Sequence, residues 1–398
     1  MKKVIRNCPI CSCEKGKVLH TQRFNKLSDN ILPDSYDVIA CSGCSFVYAD
    51  TPANQSDYDR YYAELSKYED IEVSSGGSTP WDNERYAKLV SDISPFLSKK
   101  SAILDIGCAN GGLLNFLNEQ GYENLTGLDP SAKCVSYVSM QGIKAVRGDI
   151  FNNSLITDKI EYDFVIFSHV FEHLYDLKKA VQYVSSYLKE GGLVYIEVPD
   201  ASRYKDFYVV PYYYFDSEHI NHFSEHSLTN LFLQSNFEFV KYEQKEIPVS
   251  NTAKYPALYG LYRKVVGLES LSINRDKPND LTVKSIIEYI NKSNYGKEMQ
   301  DINDLAQSQE SIIVWGAGQY TLRLMSETCL KDCNIVAFID KDKKKQGQAI
   351  NDIQVYPPEY LLNEKFSGPI IISSALFSED IIIEIREMGL VNHAIVVK

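Results

Sequence analysis

From Trp81 onward the apolar positions Tyr86, Leu89, Val90 and Ile93 recur at helical spacing and predict a helix over WDNERYAKLVSDISPFL. Beyond Ala102 the pattern switches repeatedly. Strand AILDI, helix LLNFLNEQ, strand NLTGLD, helix AKCVSYVSMQ, strands AVRGD and DFVIFS, helix LKKAVQYVSSYL and strand LVYIEVP follow in order. This alternation predicts a parallel, doubly wound α/β sheet with right-handed crossovers. Residues 201 to 222 interrupt it with the Tyr-rich segment RYKDFYVVPYYYFDSEHINH, read as an active-site insertion ahead of a short helix, SLTNLFLQS.

Residues 250 to 306, punctuated by Pro256, Gly267 and Pro278, are expected to be a helical or loose connector. From Ser311 strand and helix alternate again through IIVWGAG, TLRLMSETCL, NIVAFIDKD and GPIIISSAL, with a closing helix from Ser378. This predicts a second, smaller α/β unit. The first 75 or so residues show little apolar periodicity but carry Pro33, Gly43 and Pro52 and two cysteine pairs, and SSGGSTP (74 to 80) has the composition of a loop. The expected division is 1–75, a small metal-stapled unit; 76–245, the main α/β domain; 246–306, the connector; and 307–398, a C-terminal Rossmann-like unit.

Length and composition agree with several cores: 398 residues exceed what one core usually serves, and 44% hydrophobic with 24% charged residues is the balance of a folded chain. No apolar run approaches the roughly 18 to 20 residues of a membrane span, and MKKVIRNCPIC reaches a cysteine pair before a signal core can form. A cytoplasmic protein with no membrane partner is expected. Lys and Arg number 41 against 53 Asp and Glu, a net charge of −12, with one basic run at Lys341 to Lys345 that reads as a solvated turn. Nucleic acid is therefore not expected as a partner.

Nine cysteines in such a chain point to metal ligands or buried thiols, and spacing favours the metal. Cys8-Pro-Ile-Cys11 and Cys41-Ser-Gly-Cys44 are two knuckles separated by 29 residues, each offering two thiolates to one tetrahedral Zn2+. Four thiolates leave no open position, so the zinc is expected to be structural. Cys13 is a spare that can compete as a ligand.

The segment Leu104-Asp105-Ile-Gly107-Cys108-Ala109-Asn110-Gly111-Gly112 sits where a strand turns into a helix, and Asp129 stands at the end of the next strand, placed to grip ribose hydroxyls. Asp149 ends the third strand and Asp163 opens the fourth. The combination resembles class I S-adenosylmethionine-dependent methyltransferases, whose turn reads Asp-x-Gly-x-Gly-x-Gly; Ala109 replaces the second glycine here. The resemblance covers roughly residues 80 to 240, including Phe167 to His173 and Leu188 to Pro199. It implies Asp105, Gly107, Cys108, Ala109, Asn110 and Gly111 around the methionine part of S-adenosylmethionine, Asp129 with Pro130 at the ribose, and Asp149 with Ile150 at the adenine. Ser168 completes that set, and Tyr86 and Ser75 are weaker candidates for closing over it.

Five of seven histidines fall between residues 169 and 226. Methyl transfer from a sulfonium needs the acceptor positioned and, for a hydroxyl or carbon acid, a base, a task suited to histidine near neutral pH. Glu218 with His219 is the favoured pair, His169 the second candidate, and His173, four residues on, is expected to share its helical face from further back.

With the knuckles in front and Trp315-Gly-Ala-Gly318, Phe338-Ile-Asp340 to Gly347 and Val355 to Glu359 behind, the chain resembles the three-domain sugar C-methyltransferases along nearly its whole length. That resemblance implies a nucleotide-linked ketosugar as the small-molecule acceptor, His219 as base and Glu218 as its support. Asp216-Ser217 stand where the family has Tyr-His, and Glu-His-Ile-x-x-Phe-Ser also occurs in O-methyltransferases, so O-methylation of a hydroxyl stays open. Tyr208, Tyr212, Tyr213 and Tyr214 offer rings and hydroxyls to a sugar or base.

The Gly316-Ala-Gly318 turn with Asp340 admits two further readings. A nicotinamide-dependent oxidoreductase would use it for a dinucleotide, although Thr321 occupies the place of the third glycine. Alternatively the unit packs on the main domain and helps to hold a nucleotide diphosphate. A third alternative makes the cysteine knuckles a binding module. The sequence leaves the oligomeric state open.

Overall fold

The computed structural model describes residues 1–397 except 26–30, 66–79, 152–160, 249–253, 268–279, 295–296, 364–365 and 375. Ser75, Pro278 and all but the last residue of the 74 to 80 loop lie outside the described residues.

The N-terminal unit is an antiparallel sheet of β1 (Lys2–Lys3), β2 (Lys15–Arg23), β3 (Ser35–Cys41) and β4 (Val47–Asp50). Every residue of β4 is buried, which removes the alternation that marks a one-sided strand. Helix α1 (Gln55–Leu65) follows, and α2 (Pro80–Ile93) leads into the main domain with Tyr86, Leu89, Val90 and Ile93 buried as their spacing predicts.

The central sheet holds β5 (Ala102–Ile106), β6 (Asn124–Asp129), β7 (Lys144–Arg147), β8 (Tyr162–Ser168) and β9 (Leu188–Pro199) in parallel, with α3 (Gly112–Glu119), α4 (Ala132–Met140) and α5 (Leu177–Tyr187) between them. A two-residue strand, β10 (Asn221–His222), leaves the insertion to join the N-terminal sheet, with Asn221 opposite Tyr48 and His222 opposite Val47. After α6 (Glu225–Leu233), β11 (Phe237–Pro248) and β12 (Lys254–Lys264) complete the sheet in the order β11-β12-β9-β8-β5-β6-β7.

Strand β12 corrects the expected boundary at residue 245 and the reading of a loose connector from 250. It pairs antiparallel with both β11 and β9, so the sheet runs to Lys264. Pro256 suggests interruption in sequence, yet it lies within the strand, and at Gly260 the space a side chain would need is taken by the ring of Tyr262. Helices α7 (Leu281–Asn294) and α8 (Lys297–Ser308) are helical as expected. α7 is docked, since Ser285 Oγ accepts from Lys205 N at 3.2 Å and Ser293 Oγ from Tyr212 N at 3.1 Å.

The C-terminal sheet contains β13 (Ile312–Trp315), β14 (Ile335–Ile339), β15 (Ala349–Ile350), β16 (Ile353–Tyr356), β17 (Ile370–Ile372) and β18 (Ala394–Val396), ordered β15-β16-β14-β13-β17-β18, with α9 (Gln319–Glu327) after the glycine turn. Among the described residues, no helix is long and apolar enough to cross a membrane.

Candidate active site

The turn after β5 is built from left-handed backbone: Gly107, Ala109 and Gly111 have φ of 75°, 46° and 77°. A Cβ on Gly107 would meet Val170, and one on Gly111 would meet Val138, so close packing as well as φ demands glycine at both. The turn is pinned to the next strand by Gly107 N donating to Leu128 O at 2.8 Å. Asp129, at the carboxyl end of β6, accepts from the backbone N–H of Ala109 and of Ser131, each at 2.9 Å. A cavity of about 480 Å³ opens over this turn.

Asp105, Gly107, Cys108 and Ala109 line the cavity, with Asp129, Pro130, Asp149 and Ile150 along one side and Ser168 and His169 at the end of β8. Asn110 and Gly111 are not in its wall; Asn110 is buried. Tyr86 lines it as the weaker expectation had it, together with Arg85, which sequence reasoning missed. Burial pushes the Asp105 carboxyl up to about 8, with Arg85 opposing and Asp129 adding to the shift. Asp163 does not join the other acids. As the second residue of a parallel strand it sits at the opposite sheet edge, where it accepts from Ala102 N at 2.8 Å and pairs with Lys189 at 2.7 Å.

At the other end the wall is formed by His173 and Leu174, with Gln55, Asp59 and Tyr62 contributed by α1. Residues 169–173 are not the expected helix face: His169 has φ 60°, and one 3-10 turn, Phe171–His173, follows. His169 is held between carboxylates, Nδ1 at 3.1 Å from Glu172 Oε1 and Nε2 at 3.4 Å from Glu197 Oε1. Burial lowers its pKa, but the two carboxylates outweigh burial and raise it. Both ring nitrogens of His169 are thus engaged by carboxylates.

His173 shows the reverse. Burial lowers its pKa and keeps the ring neutral, and its Nδ1 lies 2.8 Å from the Tyr62 hydroxyl and 3.1 Å from the Glu218 carbonyl. Its ring meets His219 edge-on, centroids 4.8 Å apart. The Glu218 carboxylate accepts from the Tyr61 hydroxyl at 2.9 Å. Asp216 shapes the turn instead, its Oδ1 accepting from Glu218 N at 2.9 Å and His219 N at 2.7 Å, with Oδ2 3.9 Å from His219 Nε2. Glu172, His173 and His219 bring ligand-type atoms within 4.8 Å of one another, and His169 Nδ1 also lies on Glu172 at 3.1 Å.

Residues 80–242 match the family of methyltransferase domains. The chain is an S-adenosylmethionine-dependent methyltransferase. Residues 308–396 of the methyltransferase match a second family, described as C2185-like, N-terminal. Among solved structures it is similar to an S-adenosylmethionine-dependent methyltransferase from Archaeoglobus fulgidus, at 17% identity and TM-score 0.36 over 47% of this chain and 95% of that one. It is also similar to one from Methanosarcina mazei, at 18% and 0.36 over 44% and 98%. A third is the 1,6-didemethyltoxoflavin-N1-methyltransferase of Burkholderia thailandensis, at 16% and 0.40 over 56% and 96%. No curated protein matches the chain.

In the N-terminal unit of the methyltransferase, Cys8, Cys11, Cys41 and Cys44 converge, their sulfurs all within 4.8 Å of one another. The Cys8–Cys44 and Cys11–Cys41 sulfur distances are 3.6 and 3.4 Å. A tetrahedron of about 2.3 Å Zn–S bonds spaces sulfurs by about 3.8 Å, so the donor set fits zinc. Both knuckles close with the same turn, Ser12 N donating to Cys8 O and Ser45 N to Cys41 O. Cys13 is not in the cluster; its Sγ lies 3.5 Å from Lys15 O.

The C-terminal glycine turn repeats the first in outline. Asp340 Oδ2 accepts from Ala317 N at 2.8 Å, as Asp129 does from Ala109, but also pairs with Lys345 at 3.0 Å. The Thr321 hydroxyl bonds Gly316 O and Ser373 Oγ, both at 2.6 Å, filling the place of a third glycine. A dinucleotide would have to displace these contacts.

Proposed function

We propose that the methyltransferase acts on a sugar-like acceptor, a nucleotide-activated sugar or related glycan precursor, in polysaccharide or secondary-metabolite biosynthesis, with His219 as the base. The observation that carries this is the edge-on contact of His173 with His219 at the end of the cavity that begins at the Gly107 turn. Bound S-adenosylmethionine supplies an electrophilic methyl group. Asp105 and the turn from Gly107 to Gly111 would hold its methionine part, Asp129 and Pro130 its ribose, and Asp149 and Ile150 its adenine, with Ser168 closing the set.

In this reading His219 takes a proton from the acceptor. For a ketosugar the α-proton goes to His219 and the enolate carbon forms the new bond to methyl; for a hydroxyl the oxygen forms it. In either case the sulfur–methyl bond breaks, its electron pair stays on sulfur, and S-adenosylhomocysteine leaves. His173 orients His219, and the Glu218 carbonyl supports the arrangement by fixing the His173 tautomer. His169 is held between Glu172 and Glu197, and its second-choice role as base is set aside because both nitrogens are engaged. The four cysteines would hold a structural zinc, and the C-terminal Rossmann-like unit packs behind the insertion, with Arg323 of α9 donating to Phe215 O at 3.5 Å. The test is label transfer from methyl-labelled donor to a panel of nucleotide sugars; donor binding with no labelled sugar removes the acceptor class while leaving the methyltransferase.

A further inference from the structure

Arg6 is buried, 2% exposed, and among the described residues every acceptor its guanidinium reaches is uncharged. Its Nη1 donates to Ile220 O at 3.1 Å, and its Nη2 donates to Leu174 O at 3.2 Å, to Asn221 Oδ1 at 3.0 Å and to Tyr175 O. The Tyr175 ring lies against it, 4.6 Å from the guanidinium carbon, and Tyr48 lies at 5.7 Å. Burying a cation away from a counter-ion is costly, and a rigid fork of donors suits four acceptors spread over two segments.

Those segments are the ones that carry the histidine pair. Leu174 and Tyr175 directly follow His173, and Ile220 directly follows His219. Asn221 adds to the clasp, its Nδ2 donating to Phe171 O at 3.0 Å and Leu174 O at 2.7 Å, while Ile220 N donates to Glu172 O at 2.9 Å. Arg6 comes from the cysteine-bearing unit. Its own N–H and that of Ile5 go to Asp50 Oδ1 at 2.8 and 2.7 Å, and Cys8 of the cluster stands two residues on.

We propose that Arg6 is a positioning residue for methyl transfer: through the carbonyls after His173 and His219 it sets the contact of the two rings, and so ties the cysteine-bearing unit to the chemistry. The proposal rests on the reading of His219 as base. It assigns the N-terminal unit a part in turnover as well as in folding.

The experiment compares full-length wild type with Arg6→Lys, which keeps charge but loses the fork, and with Asp50→Asn, which loosens the Arg6 backbone. S-adenosylhomocysteine titrated by calorimetry counts competent donor sites and gives Kd, and ring signals of 13C-histidine enzyme, assigned with His173→Gln and His219→Gln, report the pair. The expected result is a donor Kd within about twofold of wild type, displaced His173 and His219 signals, and kcat per site on a sugar from the panel lowered about ten- to a hundredfold, the scale of a small misplacement. Unmoved ring signals, or unchanged kcat per site, overturn the proposal whatever happens to stability. Loss of donor sites in both variants makes Arg6 a folding residue and overturns it too. Moved signals beside a His219→Ala variant of full turnover would leave Arg6 as the positioner and remove only the base.

Discussion

His169 Nε2 stands 3.4 Å from Glu197 Oε1, an imidazole set against a carboxylate that the buried Lys245 also holds at 2.8 Å. Glu172 faces the other nitrogen, and together the carboxylates raise the His169 pKa against the opposing effect of burial. A raised folded pKa makes the stabilisation complete below the unfolded value, about 6.5, and lost as pH climbs through the folded one. Removing the ring takes the closest cationic partner from the buried Glu172, while Glu197 keeps Lys245, so His169→Asn should cost about 3 kcal/mol at pH 6. Thermal melts of both proteins from pH 5.5 to 9 check this: the gap in midpoint narrows with rising pH. A gap that widens would mean that the ring is neutral in the fold.

The base assignment separates three neighbouring side chains. His219→Ala should lower kcat by about 10²- to 10⁴-fold, the usual worth of a general base, with donor affinity unchanged because His219 is outside the donor cavity wall. Glu218→Gln should stay within a few-fold of wild type, since an amide oxygen can still accept from the Tyr61 hydroxyl. Label-transfer kinetics with matched calorimetry distinguish them. Glu218→Gln as damaging as His219→Ala would give the carboxylate a direct part.

The parallel half of the central sheet was legible because strands buried on both faces read as continuous apolar runs between amphipathic helices, and the Gly107 turn because left-handed backbone and close packing both call for glycine. Strand β12 was hidden by Pro256 and Gly267, residues that punctuate a chain when tertiary contacts are out of view. Asp163 opens its strand as the pattern indicates, and the start of β8 lies at the edge opposite the cavity, which sets it apart from the other acids. The reach of Arg6 to Ile220, across 214 positions, leaves no local pattern. Arg85 shared its helix with the apolar stripe that was recognised, and only the fold turns it toward Asp105.

The cysteine cluster predicts a metal content. Purified enzyme should carry one zinc per chain, and Cys41→Ser should lose it, because metal affinity at such a site is folding free energy. Elemental analysis alongside thermal melting checks both, with the midpoint expected to fall by roughly 10 °C. A variant that keeps its zinc would move the metal away from the four sulfurs.

The most direct test of the account concerns Asp129, whose carboxylate orders the glycine turn through Ala109 N and would meet the donor ribose. Calorimetric titration of S-adenosylhomocysteine should give one site per chain in the wild type and a Kd about a hundredfold weaker in Asp129→Ala, the loss expected from a charge-assisted hydrogen bond at about 2.7 kcal/mol. Equal affinity in the two proteins, or no heat with the wild type, would contradict it.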